Sequence, residues 1–328
     1  MIGSAHARVD QPSKQPCGPG AVSGFSFPQV WVQRNFDKDQ ACSTACSSGL
    51  SHAREFEAEA SSSGFNTPLL HLQFDAAMKV EVLGVTGLPI IEEGDDIPSL
   101  ILGAAEAQGT PLMDGDIIVV SHVIVSRAEG RTVDLREVEP SRAAERFAAF
   151  TDKDPRLVEV ILGDSRAVRR MAPGVLITET RQGFVCANSG VDRSNVPGED
   201  VVALLPEDPD GSARRIRGRI KEISGREVAV IVCDTHGRAH RDGEVNVAVG
   251  ASGLNVIRDR RGEQDLFGYE LKVKRTAVAD ELASAAELVI GQASEGVPAA
   301  IIRGYRYERS EVSSTRELVR PREKDLFI

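Results

Sequence analysis

From Met78 onward the sequence predicts an α/β fold, on three observations. Strand-like and helix-like segments alternate along the chain instead of falling into separate blocks. The run Val228-Ala229-Val230-Ile231-Val232-Cys233 is apolar at every position, the pattern of a strand buried on both faces in the middle of a sheet. The helix candidates each carry a single apolar face. Neither a GxxxxGK[ST] phosphate loop nor a Rossmann glycine fingerprint occurs.

The elements follow in order. Lys79-Val80-Glu81-Val82-Leu83 alternates as a strand, and Gly84 to Ile91 is a loop broken by glycines and a proline. Asp96 caps a helix with Pro98 in its first turn, and Ile97, Leu100, Ile101, Ala104 and Ala105 form its apolar face. After the turn Asp114-Gly115-Asp116, Ile117 to Val120 make a buried strand, which Ser121 to Arg127 is expected to carry on towards Ala128-Glu129-Gly130-Arg131. Ser141 precedes an Ala-rich helix, Arg142 to Phe150. Asp154-Pro155 opens another, with Leu157, Val158, Ile161 and Leu162 as its stripe. Val175 to Thr178 form a strand leading into Gly183. Asp208-Pro209-Asp210-Gly211-Ser212 starts a helix whose Arg214, Arg215, Arg217 and Arg219 are expected mostly in solvent. Glu244 to Gly250 alternate as a strand, and Gly253 to Gly268 read as loop. Ala279 to Ile290 form a helix with acids at its N-terminus, where the dipole favours them. It ends in the turn Gly291 to Gly296; Val297 to Ile302 are a last strand, and the charged chain beyond Arg303 is expected to be peripheral.

Composition narrows the function. The chain has 328 residues, enough for two ordinary domains or one large one, and a formal charge of −10. No basic patch is evident, which argues against a general nucleic-acid binder. No apolar run is long enough to span a bilayer, and no basic-then-apolar secretory signal opens the sequence. The five cysteines, Cys17, Cys42, Cys46, Cys186 and Cys233, have no framework spacing, which fits a reducing cytoplasm. Residues 1–77 show neither helical nor strand period and read as a disordered extension. Cys42, Cys46 and His52 within them lack a zinc spacing. Residues 78–328 are expected to hold the folded, functional part of the chain.

Two stretches carry chemistry. In Gly183 to Val196, a short apolar run gives way to Asn188-Ser189-Gly190 and Asp192-Arg193-Ser194-Asn195. A carboxylate there suits a hard cation, and an amide suits a phosphate or base; the same residues also favour turns for local reasons. The second is the strand end Asp234-Thr235, where a carboxylate and a hydroxyl can share a divalent ion; a capping turn is the alternative. His122 suits a ligand or a base, although a lone His beside a β-branched run is more often structural. Arg238, His240 and Arg241 can meet an anionic substrate or form a solvated loop.

Six motifs in order complete the pattern: Gly87-Leu88-Pro89, Ser126 to Arg131, Gly183 to Val196, Leu205 to Asp210, Asp234-Thr235-x-Gly237-Arg238 and Ala279-Asp280-Glu281-Leu282-Ala283. Together they resemble the coenzyme F420-0:L-glutamate ligase family, from about Met78 to about Gly304. The resemblance implies a mixed α/β fold particular to that family, a homodimer, and a cytoplasmic enzyme that uses GTP to join L-glutamate to the lactyl carboxylate of F420-0. The product is then extended through the γ-carboxylate. It implies a nucleotide held by Leu88, Pro89, Ile90, Ile91, His122, Val123, Arg127 and Asn195, and by Ile290, Gly291, Gln292, Ala293, Ser294, Glu295, Gly296 and Val297. It further implies one divalent ion on Asp192 and Asp234 and a second on Thr235 and Gln292, each Mg²⁺ or Mn²⁺, with K⁺ as an additional candidate. Catalytic roles fall to Arg127, Asp192 and Asp234. A lysine is usual in the family where Arg127 stands, and the His122-Val123 place varies.

The chemistry suits those residues. Carboxylates are poor electrophiles, so the expected route is phosphoryl transfer from GTP to an acyl phosphate, which the glutamate amine attacks. Oxygen-only ligands fit Mg²⁺ or Mn²⁺ better than zinc. Two neighbouring carboxylates would repel without a cation, so Asp→Asn changes at 192 or 234 are expected to gain stability in its absence. A metal-dependent phosphohydrolase, a non-catalytic GTP-binding module and an amide ligase for another acceptor are the competing classes.

Overall fold

The structure is a computed structural model and describes residues 79–326. The chain splits into two units, Met1–Leu70 and His71–Ile328, and the expected disordered extension with Cys17, Cys42, Cys46 and His52 lies outside the described residues. In chain order the first elements are β1 (Glu81–Gly84), α1 (Ile97–Ala107), β2 (Ile117–Ser121), α2 (His122–Ala128) and β3 (Thr132–Asp134). Next come α3 (Arg142–Thr151), α4 (Pro155–Gly163), β4 (Ser165–Ala172), β5 (Val175–Thr180), β6 (Val185–Ala187) and β7 (Val201–Ala203). The rest are α5 (Pro209–Ser224), β8 (Ala229–Arg238), β9 (Arg241–Ser252), β10 (Arg258–Asp259), β11 (Arg275–Thr276), α6 (Val278–Ile290) and β12 (Ala299–Arg303).

A five-stranded mixed sheet, in the order β1-β12-β2-β8-β9, forms the centre. Only β2 and β8 run parallel, with Ile117 opposite Ala229 and Ser121 opposite Cys233. Strand residues alternate between two cores. Ile118, Val120, Val230, Val232 and Ile301 pack under α1 and α5. Ile117, Val119, Ala229, Ile231, Ala300 and Ile302 pack under α6, which supplies Leu282, Ala283, Ala286 and Ile290. Helices on both faces explain why β8 is apolar at every position in its first half. Where α5 crosses β9 the backbones nearly touch: a Cβ on Gly250 would stand 2.3 Å from the Pro209 carbonyl oxygen.

The crossover between β2 and β8 holds the second layer of structure. There β4, β5 and β6 form an antiparallel sheet and β3 pairs with β7. Leu135, Val158, Ile161, Leu176 and Val202 make a third core with α3 and α4.

Two expectations are corrected. Ser121 to Arg127 does not continue the strand: β2 stops at Ser121 and α2 begins at His122. Its β-branched residues disfavour helix only weakly, and burying Ile124 and Val125 in the core overrides that preference. Nor is the chain beyond Arg303 wholly peripheral. Thr315 is 1% exposed, and the buried carboxylate of Asp210 accepts hydrogen bonds from Ser314 Oγ (2.6 Å), Thr315 Oγ1 (3.1 Å) and Ala251 N (2.8 Å). One carboxylate thus ties the start of α5 to β9 and to the C-terminal segment.

Candidate active site

The parallel pair β2/β8 ends with Ser121 beside Cys233, so the next residues, His122 and Asp234, emerge together at the carboxyl edge of the sheet. Ligands gather at such edges because loops and helix N-termini converge there. A cavity of about 420 Å³ opens at this place. Its walls come from the loop after β1, the start of α2, the loop after β6, the middle of β8 with Asn246 of β9, and the turn after α6. All the residues that the family resemblance assigns to nucleotide, metal or catalysis line it except Ser294. Arg238 and Arg241 lie instead where β8 turns into β9, paired across that hairpin, and are not part of the lining.

Asp234 is the electrostatic centre. His236 Nε2 lies 3.0 Å from its Oδ2, and His122 Nε2 lies 3.2 Å from its Oδ1. The second contact lacks hydrogen-bond geometry, so the buried His122 nitrogen approaches the carboxylate without a hydrogen bond. Burial pushes the Asp234 carboxyl up, but the two imidazoles outweigh it and hold the group well below the usual carboxylate range. Burial likewise pulls His236 down, yet the hydrogen bond to Asp234 wins and raises it to about 10, with Cys186 alongside. The expected repulsion between Asp192 and Asp234 is therefore not what governs Asp234: His236 already pairs with it.

Next along β8, Thr235 Oγ1 donates to Asn246 Oδ1 at 2.8 Å across the hairpin. Asn246 Nδ2 donates to Glu287 Oε2 at 2.6 Å, and Gln292 Nε2 donates to the same oxygen at 2.8 Å. Burial raises the Glu287 carboxyl, with Gln292 opposing. On the opposite wall, Asp192 accepts from Ser194 N at 2.7 Å and Ser194 Oγ at 2.9 Å, so it both shapes a turn and lines the cavity. Arg127 Nη1 donates to the Asn195 carbonyl at 3.5 Å. Gly291 ends α6 at φ 69°, a left-handed backbone, and a Cβ there would stand 2.3 Å from the Glu295 carboxyl carbon.

A family model described as F420-0:gamma-glutamyl ligase matches residues 86–304, which contain every wall of this cavity. The chain belongs to the F420-0:gamma-glutamyl ligase family. It is 52% identical over 252 residues to the coenzyme F420:L-glutamate ligase of Methanothermobacter thermautotrophicus, covering 76% of this chain and 99% of that protein. The protein of the same name from Methanopyrus kandleri is 48% identical over 72% of this chain and 93% of its own length. That from Methanocaldococcus jannaschii is 45% identical over 76% and 97%. As a member of this family the chain is an enzyme, a ligase that forms carbon–nitrogen bonds.

The cavity's donor set fits a hard cation that shares its coordination with phosphate. Among the described residues no three His, Cys, Asp or Glu side chains cluster closely enough to hold a metal by themselves. Carboxylates, a hydroxyl and a carboxamide are oxygen donors of the kind Mg²⁺ and Mn²⁺ take while keeping sites for other oxygens. Sequence reasoning missed His236, Asn246 and Glu287. For His236 a signal existed, since alternation along β8 puts it on the same side as Asp234. Asn246 depends on the hairpin register, and Glu287 on how α6 lies across the sheet.

Proposed function

We propose that the protein joins L-glutamate to the carboxylate of coenzyme F420-0, with GTP as phosphoryl donor, and extends the product through the γ-carboxylate of the added glutamate. The observation that carries this reading is one cavity containing Asp192, Asp234, Thr235, Gln292 and Arg127, in a chain that aligns with nearly the whole length of ligases so named. GTP transfers its γ-phosphoryl group to the acceptor carboxylate, giving an acyl phosphate and GDP. The amine of glutamate attacks the carbonyl carbon, and inorganic phosphate leaves.

Asp192 and Asp234 would hold one divalent ion, and Thr235 and Gln292 a second. Such ions, when bound, neutralise phosphate charge and align the transferring group. The chain's own contribution is positioning. Arg127 offers a planar fork to the phosphates and is steadied by the Asn195 carbonyl. The loop carrying Leu88 to Ile91 and the turn from Gly291 to Gly296 line the cavity with an apolar and a polar wall, between which the nucleotide would lie. K⁺ and a homodimeric state belong to the same reading, as does a cytoplasmic location. No helix among the described residues is long and apolar enough to cross a membrane.

The test is mass spectrometry of F420-0 incubated with enzyme, GTP, Mn²⁺ and L-glutamate. A gain of one or more glutamyl units, with GDP formed in step, is the expected result. GTP hydrolysis that proceeds without acceptor would make the protein a phosphohydrolase, and intact GTP after long incubation would make it a binding module.

A further inference from the structure

We infer that Glu287, acting directly on Gln292 and through Asn246 on Thr235, is a positioning residue that aims these two neutral oxygen donors of the cavity at a cation. The inference rests on the reading above that those two side chains hold the second ion.

Glu287 stands on α6 and is not itself part of the cavity lining. Its Oε2 nonetheless accepts from two side-chain amides that are, Asn246 Nδ2 at 2.6 Å and Gln292 Nε2 at 2.8 Å. An ionised carboxylate only accepts hydrogen bonds, so each amide must turn its NH₂ towards Glu287 and its carbonyl oxygen away. The consequence differs on the two sides. Asn246 Oδ1 is left to take the Thr235 hydroxyl proton at 2.8 Å. A hydroxyl that donates in that direction keeps its lone pairs for another partner. Were the Asn246 amide reversed, its NH₂ would occupy a Thr235 lone pair and leave the hydroxyl proton to point elsewhere. Gln292 Oε1, turned from Glu287, accepts no hydrogen bond among the described residues. One carboxylate thus decides that both neutral side chains present oxygen.

Charge points the same way. A threonine and a glutamine bring no charge to a cation, whereas Glu287 brings one, a single hydrogen bond behind Gln292 and two behind Thr235. Groups placed behind metal ligands in this manner fix ligand orientation, and their removal typically weakens metal affinity by about 10- to 100-fold.

The test is titration of Mn²⁺ into the full chain with a non-hydrolysable GTP analogue, following free Mn²⁺ by electron paramagnetic resonance. The unaltered protein is expected to bind two ions. Glu287→Ala should retain the ion held by Asp192 and Asp234 and weaken the other about 10- to 100-fold. Asn246→Ala, which removes only the Thr235 arm, should show the same selective loss to a smaller degree. Should Glu287→Ala melt early, Glu287→Gln keeps the size and a carbonyl acceptor but not the charge, and is expected to weaken the same ion. Two ions of unchanged affinity in the Glu287 variants overturn the inference, and so does equal loss of both ions. Fewer than two ions in the unaltered protein would instead remove the two-cation reading on which it stands, a result read before any variant is made.

Discussion

Asp234 and His236 stand two residues apart on one side of β8, with the imidazole Nε2 3.0 Å from the carboxylate Oδ2. Both side chains are buried or nearly so, and His122 approaches the other oxygen at 3.2 Å. Without a cation, the strand end is therefore an ion pair rather than a bare carboxylate. Any cation at Asp234 must compete with, or rearrange, a protonated His236.

The pair makes a pH dependence. His236 is raised from 6.5 to about 10 in the folded chain, so its contribution to stability is complete below 6.5 and is lost as pH rises through 10. Asp234 works in the opposite sense: its depressed carboxyl stabilises the fold above the ordinary carboxylate range and stops doing so in acid. Melting of the metal-free protein should show a stability decline between these two values of His236. His236→Gln should flatten that decline. Parallel curves for the two proteins would mean that the histidine is not charged in the fold.

Asp192→Asn and Asp234→Asn should each reduce Mn²⁺-dependent ligation by about 100-fold or more, because the anion a divalent ion needs is gone. Their stabilities should differ. At 192, an asparagine oxygen can still accept the Ser194 N–H that defines the turn, so the melting point should barely move. At 234, the change strips a buried partner from two histidines and should destabilise the metal-free fold by about 1–3 kcal/mol. Turnover measured against Mn²⁺ concentration, with melts alongside, separates the cases. Near-normal activity in either variant would exclude that residue as a ligand.

A structural ion pair gives a prediction far from the cavity. Asp116, 1% exposed, accepts from Arg303 Nε at 2.9 Å and Nη2 at 2.7 Å, fixing the start of β2 against the end of β12. Arg303→Met leaves that carboxylate buried with, among the described residues, only the Met113 N–H as partner and should cost about 3 kcal/mol. Urea unfolding is the measurement. Asp116→Asn in the same background should recover part of the loss, since it removes the uncompensated charge.

How much of this was legible in the sequence follows from the range of the interactions. The β8 strand was, because burial on both faces writes apolar residues at consecutive positions, and a sheet edge follows where Asp234 ends the run. Asp96, Ser141, Asp154 and Asp208 were legible as caps because each side chain accepts from a backbone N–H within three residues. Helix α2 was not, since Val123, Ile124 and Val125 carry a local preference for strand that only packing overturns. Residues joined by distant register were equally hidden. Nothing near Thr315 in sequence announces Asp210, and nothing near Gln292 announces that Asn246 shares its carboxylate. The ordered motifs supplied the walls of the cavity, while the side chains behind them required the fold.

The last prediction concerns Arg127, which stands in the final turn of α2 and lines the cavity. Burial draws its guanidinium down, and Glu92 and Asp95 pull the other way; it stays charged at any pH the fold tolerates. Its Nη1 donates to the Asn195 carbonyl, so part of the fork is spent on the opposite wall of the cavity. If charge is what phosphate needs from this position, Arg127→Lys should retain activity within about tenfold, because an ammonium still supplies the charge while losing the bidentate fork. Arg127→Ala should lose about 100-fold or more, with the larger part in kcat if the contact strengthens as phosphate charge develops. A loss confined to the KM for GTP would instead identify uniform nucleotide binding. Arg127→Lys and Arg127→Ala falling equally would show that the fork to Asn195 matters more than the charge. The comparison needs only steady-state rates at varied GTP, with a melt on each variant to exclude a collapsed wall.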